Sequence, residues 1–197
     1  PPEDLLFDKK FINKVSDHLN KIISIVRTTP VIIGTIRESN TKLFNSAGLI
    51  HNGSIIGFSD KTHLPTYDIF DEKRYFRSAE KSSILNFNYQ KKIWKIGITI
   101  CEDIWVEQSL QNKKILGIDP IKSLEKQKLD LLINLSASPF IQSKSELRQR
   151  IAAKAAIRLS CPVVYVNQVG GNDELIFDGS SFALDSKGKL QQELPAF

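Results

Sequence analysis

Three short, unbroken apolar runs constrain this chain more than anything else in it: "GITI" (Gly97 to Ile100), the centre of "LDLLINLSAS" (Leu129 to Ser138) and "CPVVYV" (Cys161 to Val166). Each is too short for a helix and is bounded by polar or turn-forming residues, so each is expected to be a buried strand. Between the second and third lies "SKSELRQRIAAKAAIRLS", which puts Leu147, Ile151, Ala155 and Leu159 on one helical face, with Ser145 as a candidate cap. Upstream, Phe11, Ile12, Val15, Leu19, Ile22, Ile23 and Val26 recur at helical spacing across Lys9 to Thr29. "PVIIGTI" (Pro30 to Ile36) reads as a strand, and Asn52-Gly53 as the tight turn of a hairpin whose second strand ends at Lys61. A helix is expected around Ile121 to Lys128, and "DELIFDGSSFALDSKGKL" supplies two more strands with a turn at Ser186 to Gly188. Residues 62 to 90 form a long, weakly periodic stretch whose aromatics argue against disorder. Strands alternate with helices and also pair as hairpins, so the expected fold class is α/β with mixed sheets.

Composition narrows the class further. The 197 residues are 41% hydrophobic and 25% charged, which suits one soluble globular domain spanning 1–197. Lys and Arg number 27 against 22 Asp and Glu, but the lysines are scattered, which reads as a solvated surface and not as a nucleic-acid site. Two cysteines exclude a disulfide framework or a zinc site and suit a reducing, cytoplasmic setting. No run approaches the roughly 18 apolar residues of a membrane span, and no secretion signal opens the chain. The first residue is Pro1 and the last stretch is "ELPAF", so the chain is expected to be a piece of a longer protein, truncated at both ends.

Chemistry is concentrated where "KIGITICEDIW" breaks from apolar to acidic at Cys101-Glu102-Asp103. A thiol at a strand end beside charge is where a nucleophile can be exposed; a packed cysteine before a turn is the commoner alternative. A nucleophilic thiol needs a base or a neighbouring cation. Of the three histidines, His18 lies on the first helix and His51 beside the hairpin turn, so only His63 leaves a Cys-His dyad open. No Gly-x-Ser-x-Gly, phosphate loop or HExxH occurs. Lys61, 40 residues before Cys101 at another strand end, can share its pocket, although spacing alone favours an ordinary surface lysine.

Taken together, "K-x-x-LP-x-Y-x-x-FDE-x-RYF" from Lys61, "CEDIW", "NLSASPF", "YVNQVGGNDELIFDGSS" and the opening "PPEDLL" resemble the glutaminase domain of glutamine-dependent NAD+ synthetases, a branch of the nitrilase (carbon-nitrogen hydrolase) superfamily. The resemblance implies a nitrilase-like α-β-β-α sandwich and a Glu-Lys-Cys triad. It makes Cys101 the nucleophile, Lys61 the triad lysine and Glu72 the accessory acid that keeps Lys61 charged and in place. The general-base glutamate of the family falls upstream of Pro1, outside the chain, and Glu3 is not in its position. Tyr67, Glu102, Trp105, Ser138 and Lys144 match positions around bound glutamine, with Glu102 meeting the α-amino group. Trp105 and Tyr67 are equally readable as core aromatics and Ser138 as turn chemistry before Pro139; an unpaired buried Glu102 is harder to explain as core. Cys161 is expected to be packed and inert, and Asp103 to hydrogen-bond its own turn. "GGNDE" (Gly170 to Glu174) is expected to be a turn that shapes the pocket or faces a partner domain.

The implied activity is glutamine amide hydrolysis, with ammonia passed to an ATP-dependent synthetase domain that is absent here and that would bring ATP and Mg2+. The glutaminase domain itself needs no metal or cofactor, and the family implies a homo-oligomer. By itself, the 197-residue piece is expected to hydrolyse little or no glutamine. A stand-alone amidase or nitrilase, or an inactive scaffold, is the alternative.

Overall fold

The computed structural model describes residues 2–67, 70–80, 83–106 and 118–197. After a 3-10 turn at Glu3–Phe7, Asp8 opens the first long helix: its side chain accepts the Lys10 N–H at 2.8 Å, and α1 runs Lys9–Ile25. Then come β1 (Val31–Ser39), β2 (Lys42–His51), β3 (Ser54–Asp60), the single-turn α2 (Glu72–Tyr75), β4 (Ser83–Tyr89) and β5 (Lys92–Ile100). A 3-10 turn at Cys101–Ile104 precedes α3 (Pro120–Leu124), β6 (Leu131–Ser136), α4 (Lys144–Leu159) and β7 (Val163–Asn167). Four short strands finish the order: β8 (Val169–Asn172), β9 (Leu175–Asp178), β10 (Phe182–Leu184) and β11 (Leu190–Glu193).

The three apolar runs are adjacent strands. β5, β6 and β7 lie parallel, Ile98 opposite Ile133 and Ile133 opposite Val164, at the centre of a six-stranded sheet ordered β11-β10-β7-β6-β5-β4 whose outer pairs are antiparallel. β1, β2 and β3 form an antiparallel meander. Because side chains alternate along a strand, the six-stranded sheet separates two cores, and β5 turns its isoleucines to one of them. Ile96, Ile98 and Ile100 meet Ala47 and Leu49 of β2 between the two sheets. On the opposite face, Leu132, Val163 and Tyr165 pack beneath α3 and α4 with Ile121, Ile151, Ala152 and Ala156. With α1 on the other side of the meander, the layers run helix, sheet, sheet, helix, which is the expected nitrilase-like α-β-β-α sandwich with mixed sheets. Gly97 marks how closely the segment leading into β6 sits: a Cβ there would lie 2.6 Å from Leu129 Cδ1 and 3.4 Å from Leu124 Cδ1 of α3.

Several boundaries differ from the sequence reading, each for a local reason. α1 stops at Ile25 and not Thr29, since Val26 turns extended and the Val26 and Arg27 carbonyls take the N–H groups of Gly53 (2.8 Å) and Asn52 (3.0 Å). The Asn52-Gly53 turn has φ of 49° and 72°, the primed-turn geometry its dipeptide favours. The β1–β2 and β4–β5 hairpins turn through Asn40-Thr41 (48°, 62°) and Gln90-Lys91 (49°, 64°), left-handed pairs without glycine, and the second of these leaves β4 unannounced in the 62–90 stretch. α4 starts at Lys144 from Ser143 at φ 64°, leaving Ser145 inside the first turn and not at the cap. "GGNDE" is not one turn: Gly170 to Asn172 belong to β8, paired with β9, and only Asp173 and Glu174 turn. The expected connection before Pro120 falls largely on 107–117, outside the described residues.

Candidate active site

β3 and β5 end at the same side of the sandwich, one in each sheet, and each delivers a candidate site residue just past its last position. Cys101 follows β5 with φ 49°, a left-handed conformation unusual for a residue with a Cβ, and is half-buried at the head of the 3-10 turn. Lys61 follows β3 and is only 2% exposed. Its Nζ donates to both oxygens of Glu72 at 2.7 and 2.8 Å, from the first residue of α2. Glu72 is held in turn by its backbone N–H on the Pro65 carbonyl (2.9 Å).

Burial alone would lower the Lys61 pKa, but the negative charge of an ionised Cys101, and then of Glu72 and Asp103, outweighs it and holds the ammonium above its ordinary value. Lys61 is therefore a fixed cation beside the thiol, which is what a cysteine nucleophile needs. His63 lines the same cleft, but burial pushes its pKa down, so it is not the cation. His18 lies exposed on α1 and His51 packs edge-on against Phe87 and Tyr89.

All eight residues singled out in the sequence, Lys61, Tyr67, Glu72, Cys101, Glu102, Trp105, Ser138 and Lys144, line one cleft of about 1390 Å³. The Tyr67 hydroxyl donates to Glu102 Oε1. Lys144, at the start of α4, lies 5.8 Å over the Trp105 ring, and its pKa is lowered by burial and then by Arg148. Trp105 is both wall and packing: it also leans on the core beneath α3 and α4. The Gly170 to Glu174 segment does not line this cleft.

Two arrangements were not read from the sequence. Asp103, 2% exposed, accepts the Ile100 N–H of its own turn, as expected, but its other oxygen accepts the N–H groups of Thr62 and His63. The second is a buried polar cluster behind Ser138. Arg148, 1% exposed, donates to Asp178 Oδ2 (2.8 Å), to Ser138 Oγ (3.2 Å) and to the carbonyls of Ser138 and Pro139 (3.0 and 3.1 Å). Asn167 accepts the Ser138 N–H at 2.9 Å. A signal existed: Arg148 is a charge at helical spacing inside the buried stripe of Ile151, Ala152, Ala155 and Leu159.

A lysine-backed thiol at the strand ends of an α-β-β-α sandwich defines a class of thiol enzyme, and comparison gives the family. Residues 26–197 match the carbon-nitrogen hydrolase family model, and the chain belongs to that family. A glutamine-dependent NAD(+) synthetase of Synechocystis sp. is 41% identical over 205 residues, covering 100% of this chain and 36% of the relative. Its counterpart in Aquifex aeolicus is 33% identical, covering 100% and 32%. The solved glutamine-dependent NAD+ synthetase of Acinetobacter baumannii superposes with a TM-score of 0.85 at 34% identity, covering 100% of this chain and 35% of that one. An amidase from Nesterenkonia sp. shares the fold, with a TM-score of 0.77 at 15% identity. The chain spans about a third of the length of the synthetases it matches.

Proposed function

We propose that this chain is the glutaminase part of a glutamine-dependent NAD+ synthetase, hydrolysing the side-chain amide of glutamine. The observation that carries the reading is the buried Lys61–Glu72 pair set beside Cys101 in a cleft whose mouth holds both a carboxylate, Glu102, and an ammonium, Lys144. An amino acid offers the opposite pair of charges at its α-carbon. Glu102 meets the α-ammonium and Lys144 the α-carboxylate, leaving the carboxamide to reach the thiol.

The Cys101 sulfur forms a bond to the carboxamide carbon, and the carbonyl π electrons move to oxygen. Lys61 and the backbone N–H following Cys101 stabilise that oxyanion. The proton removed from the thiol is returned to the leaving nitrogen, the C–N bond breaks and ammonia departs. Water then adds to the γ-glutamyl thioester, releasing glutamate and restoring the thiol. Of the nearby carboxylates, Glu72 has both oxygens on Lys61 and Asp103 is taken up by three backbone N–H groups. A base supplied from upstream of Pro1 fits this economy, and Pro2 already lines the cleft.

The ammonia acceptor in this reading is an ATP- and Mg2+-dependent synthetase domain, within a cytoplasmic homo-oligomer, and the hydrolytic step uses no metal or cofactor. ATP has no cradle at Gly170-Gly171, which sits in a β-hairpin and not at a helix N-terminus. No helix among the described residues is long and apolar enough to cross a membrane.

The test is ammonia release from glutamine by the full-length protein and its Cys101→Ala variant, with 6-diazo-5-oxo-L-norleucine as a covalent probe. Turnover lost in the variant and probe carried on Cys101 support the proposal. No turnover and no labelling sink it, and faster turnover of simple aliphatic amides than of glutamine assigns a stand-alone amidase instead.

A further inference from the structure

We infer that Asp103 is a positioning residue that locks the lysine-bearing and cysteine-bearing chain segments to each other, and so sets the Lys61–Cys101 geometry. The inference rests on the reading of Cys101 as the nucleophile and Lys61 as its cation, and goes beyond it by assigning a role to a residue that touches neither substrate nor sulfur chemistry.

Asp103 Oδ1 accepts from Thr62 N at 3.0 Å and from His63 N at 2.7 Å, the two residues directly after Lys61. Oδ2 accepts from Ile100 N at 3.1 Å, the residue directly before Cys101. One carboxylate thus grips the chain on the flank of each reactive residue, across about 40 positions of sequence and between two different sheets. The grip on Ile100 also bears on backbone strain. Cys101 holds φ 49°, a conformation unfavourable for a residue with a Cβ, and closing the turn from Asp103 to Ile100 keeps it there. A further polar tie between the sheets nearby, Ser59 Oγ to the Ile98 carbonyl at 3.1 Å, lies earlier on both strands and leaves the two ends unpinned.

Neutralising the carboxylate undoes this arrangement in a specific way. Three backbone donors converge on two oxygens, so Asp103→Asn must point its amide NH2 at one of these N–H groups and lose at least one charge-assisted bond. Asp103→Glu keeps the charge but is one methylene longer at a position 2% exposed, so its carboxylate cannot sit where all three donors now converge.

The experiment measures the alkylation rate of Cys101 by iodoacetamide against pH, in a Cys161→Ala background, with folding checked by thermal melting. It needs no glutamine turnover, so it separates failure of this inference from failure of the glutaminase reading. Asp103→Asn and Asp103→Glu are expected to alkylate Cys101 about tenfold more slowly near neutral pH with an altered pH profile. Leu184→Ala, a core truncation in β10 opposite Val163, is the control for mere destabilisation and is expected to keep the parent rate and profile. Parent-like rate and profile in a folded Asp103→Asn variant overturn the inference, as does an equal loss in Leu184→Ala. Should both Asp103 variants fail to fold, amide hydrogen exchange on the parent decides: slow exchange at Thr62, His63 and Ile100 supports the lock, and fast exchange at Thr62 and His63 refutes it.

Discussion

Replacing Glu72 by Gln tests the electrostatic core of the site with almost no change of shape. In the parent, one buried ammonium faces two carboxylate oxygens at 2.7 and 2.8 Å, with Lys61 2% and Glu72 12% exposed. Breaking a buried ion pair by removing one partner costs about 3 to 5 kcal/mol. Glutamine keeps one acceptor for the lysine and Asp103 remains nearby, so the expected loss is at the low end, about 3 kcal/mol.

The pH dependence of that loss is fixed in sign. The Lys61 pKa is raised on folding, so its contribution is fully present below the unfolded value near 10.5 and disappears as pH climbs through the folded value. In Glu72→Gln, burial, the largest influence on Lys61 and one that lowers its pKa, is opposed by one charge fewer. The stability gap between parent and variant should therefore stay constant through neutral pH and shrink in strongly alkaline solution. Urea unfolding of both proteins at several pH values reads this directly, and ammonia release by the full-length pair should fall by at least tenfold, since a misplaced or deprotonated Lys61 no longer supports the oxyanion. A gap under about 0.5 kcal/mol with unchanged turnover would show that Glu72 is a bystander to a lysine held by something else.

Three further outcomes are expected. Cys161, 1% exposed and with its thiol pushed up to about 11 by burial, should resist maleimide labelling at pH 7.5 until the chain unfolds, whereas Cys101 labels in the native state; mass spectrometry of the labelled peptides checks this. Asp178→Asn removes the charge partner of the 1% exposed Arg148 and should destabilise the fold by about 3 kcal/mol in chemical denaturation. Glu102→Gln should raise the KM for glutamine about tenfold or more with a smaller change in kcat, because it weakens a contact made in ground and transition states alike; a pure kcat effect would move Glu102 from binding into the chemistry.

What was readable from the sequence followed from signals that are local. The three apolar runs, the Asn52-Gly53 turn and the amphipathic α1 each carry their own pattern within a dozen residues. β4 and the turns of the β1–β2 and β4–β5 hairpins did not, because Asn40-Thr41 and Gln90-Lys91 adopt left-handed pairs without the glycine that announces them. The site divides the same way. Cys101 and Lys61 were visible as strand-end residues, but their adjacency depends on two sheets packing face to face, and spacing alone pointed Lys61 to the surface.

Asp103 shows why the chemistry here could not be assembled from residue types alone. An acid two residues from the thiol proposed as nucleophile should oppose its ionisation, and Glu72 is a second negative charge in the same cleft. The structure resolves this by giving each carboxylate its own donors: Glu72 takes the lysine, and Asp103 takes three backbone N–H groups while its pKa rises to about 6 through burial. The sign of the second effect yields one more measurement. A carboxyl whose pKa is higher folded than unfolded favours the folded state most when protonated, so its contribution declines as pH rises from about 4 to about 6, by roughly 3 kcal/mol for a shift from 3.8. Asp103→Asn abolishes that titration, and the parent should lose stability relative to the variant across this window. A difference that stays flat from pH 4 to pH 6 would mean that the backbone donors hold the Asp103 charge at no cost, so that Lys61 shares its field with a fully ionised neighbour throughout that window.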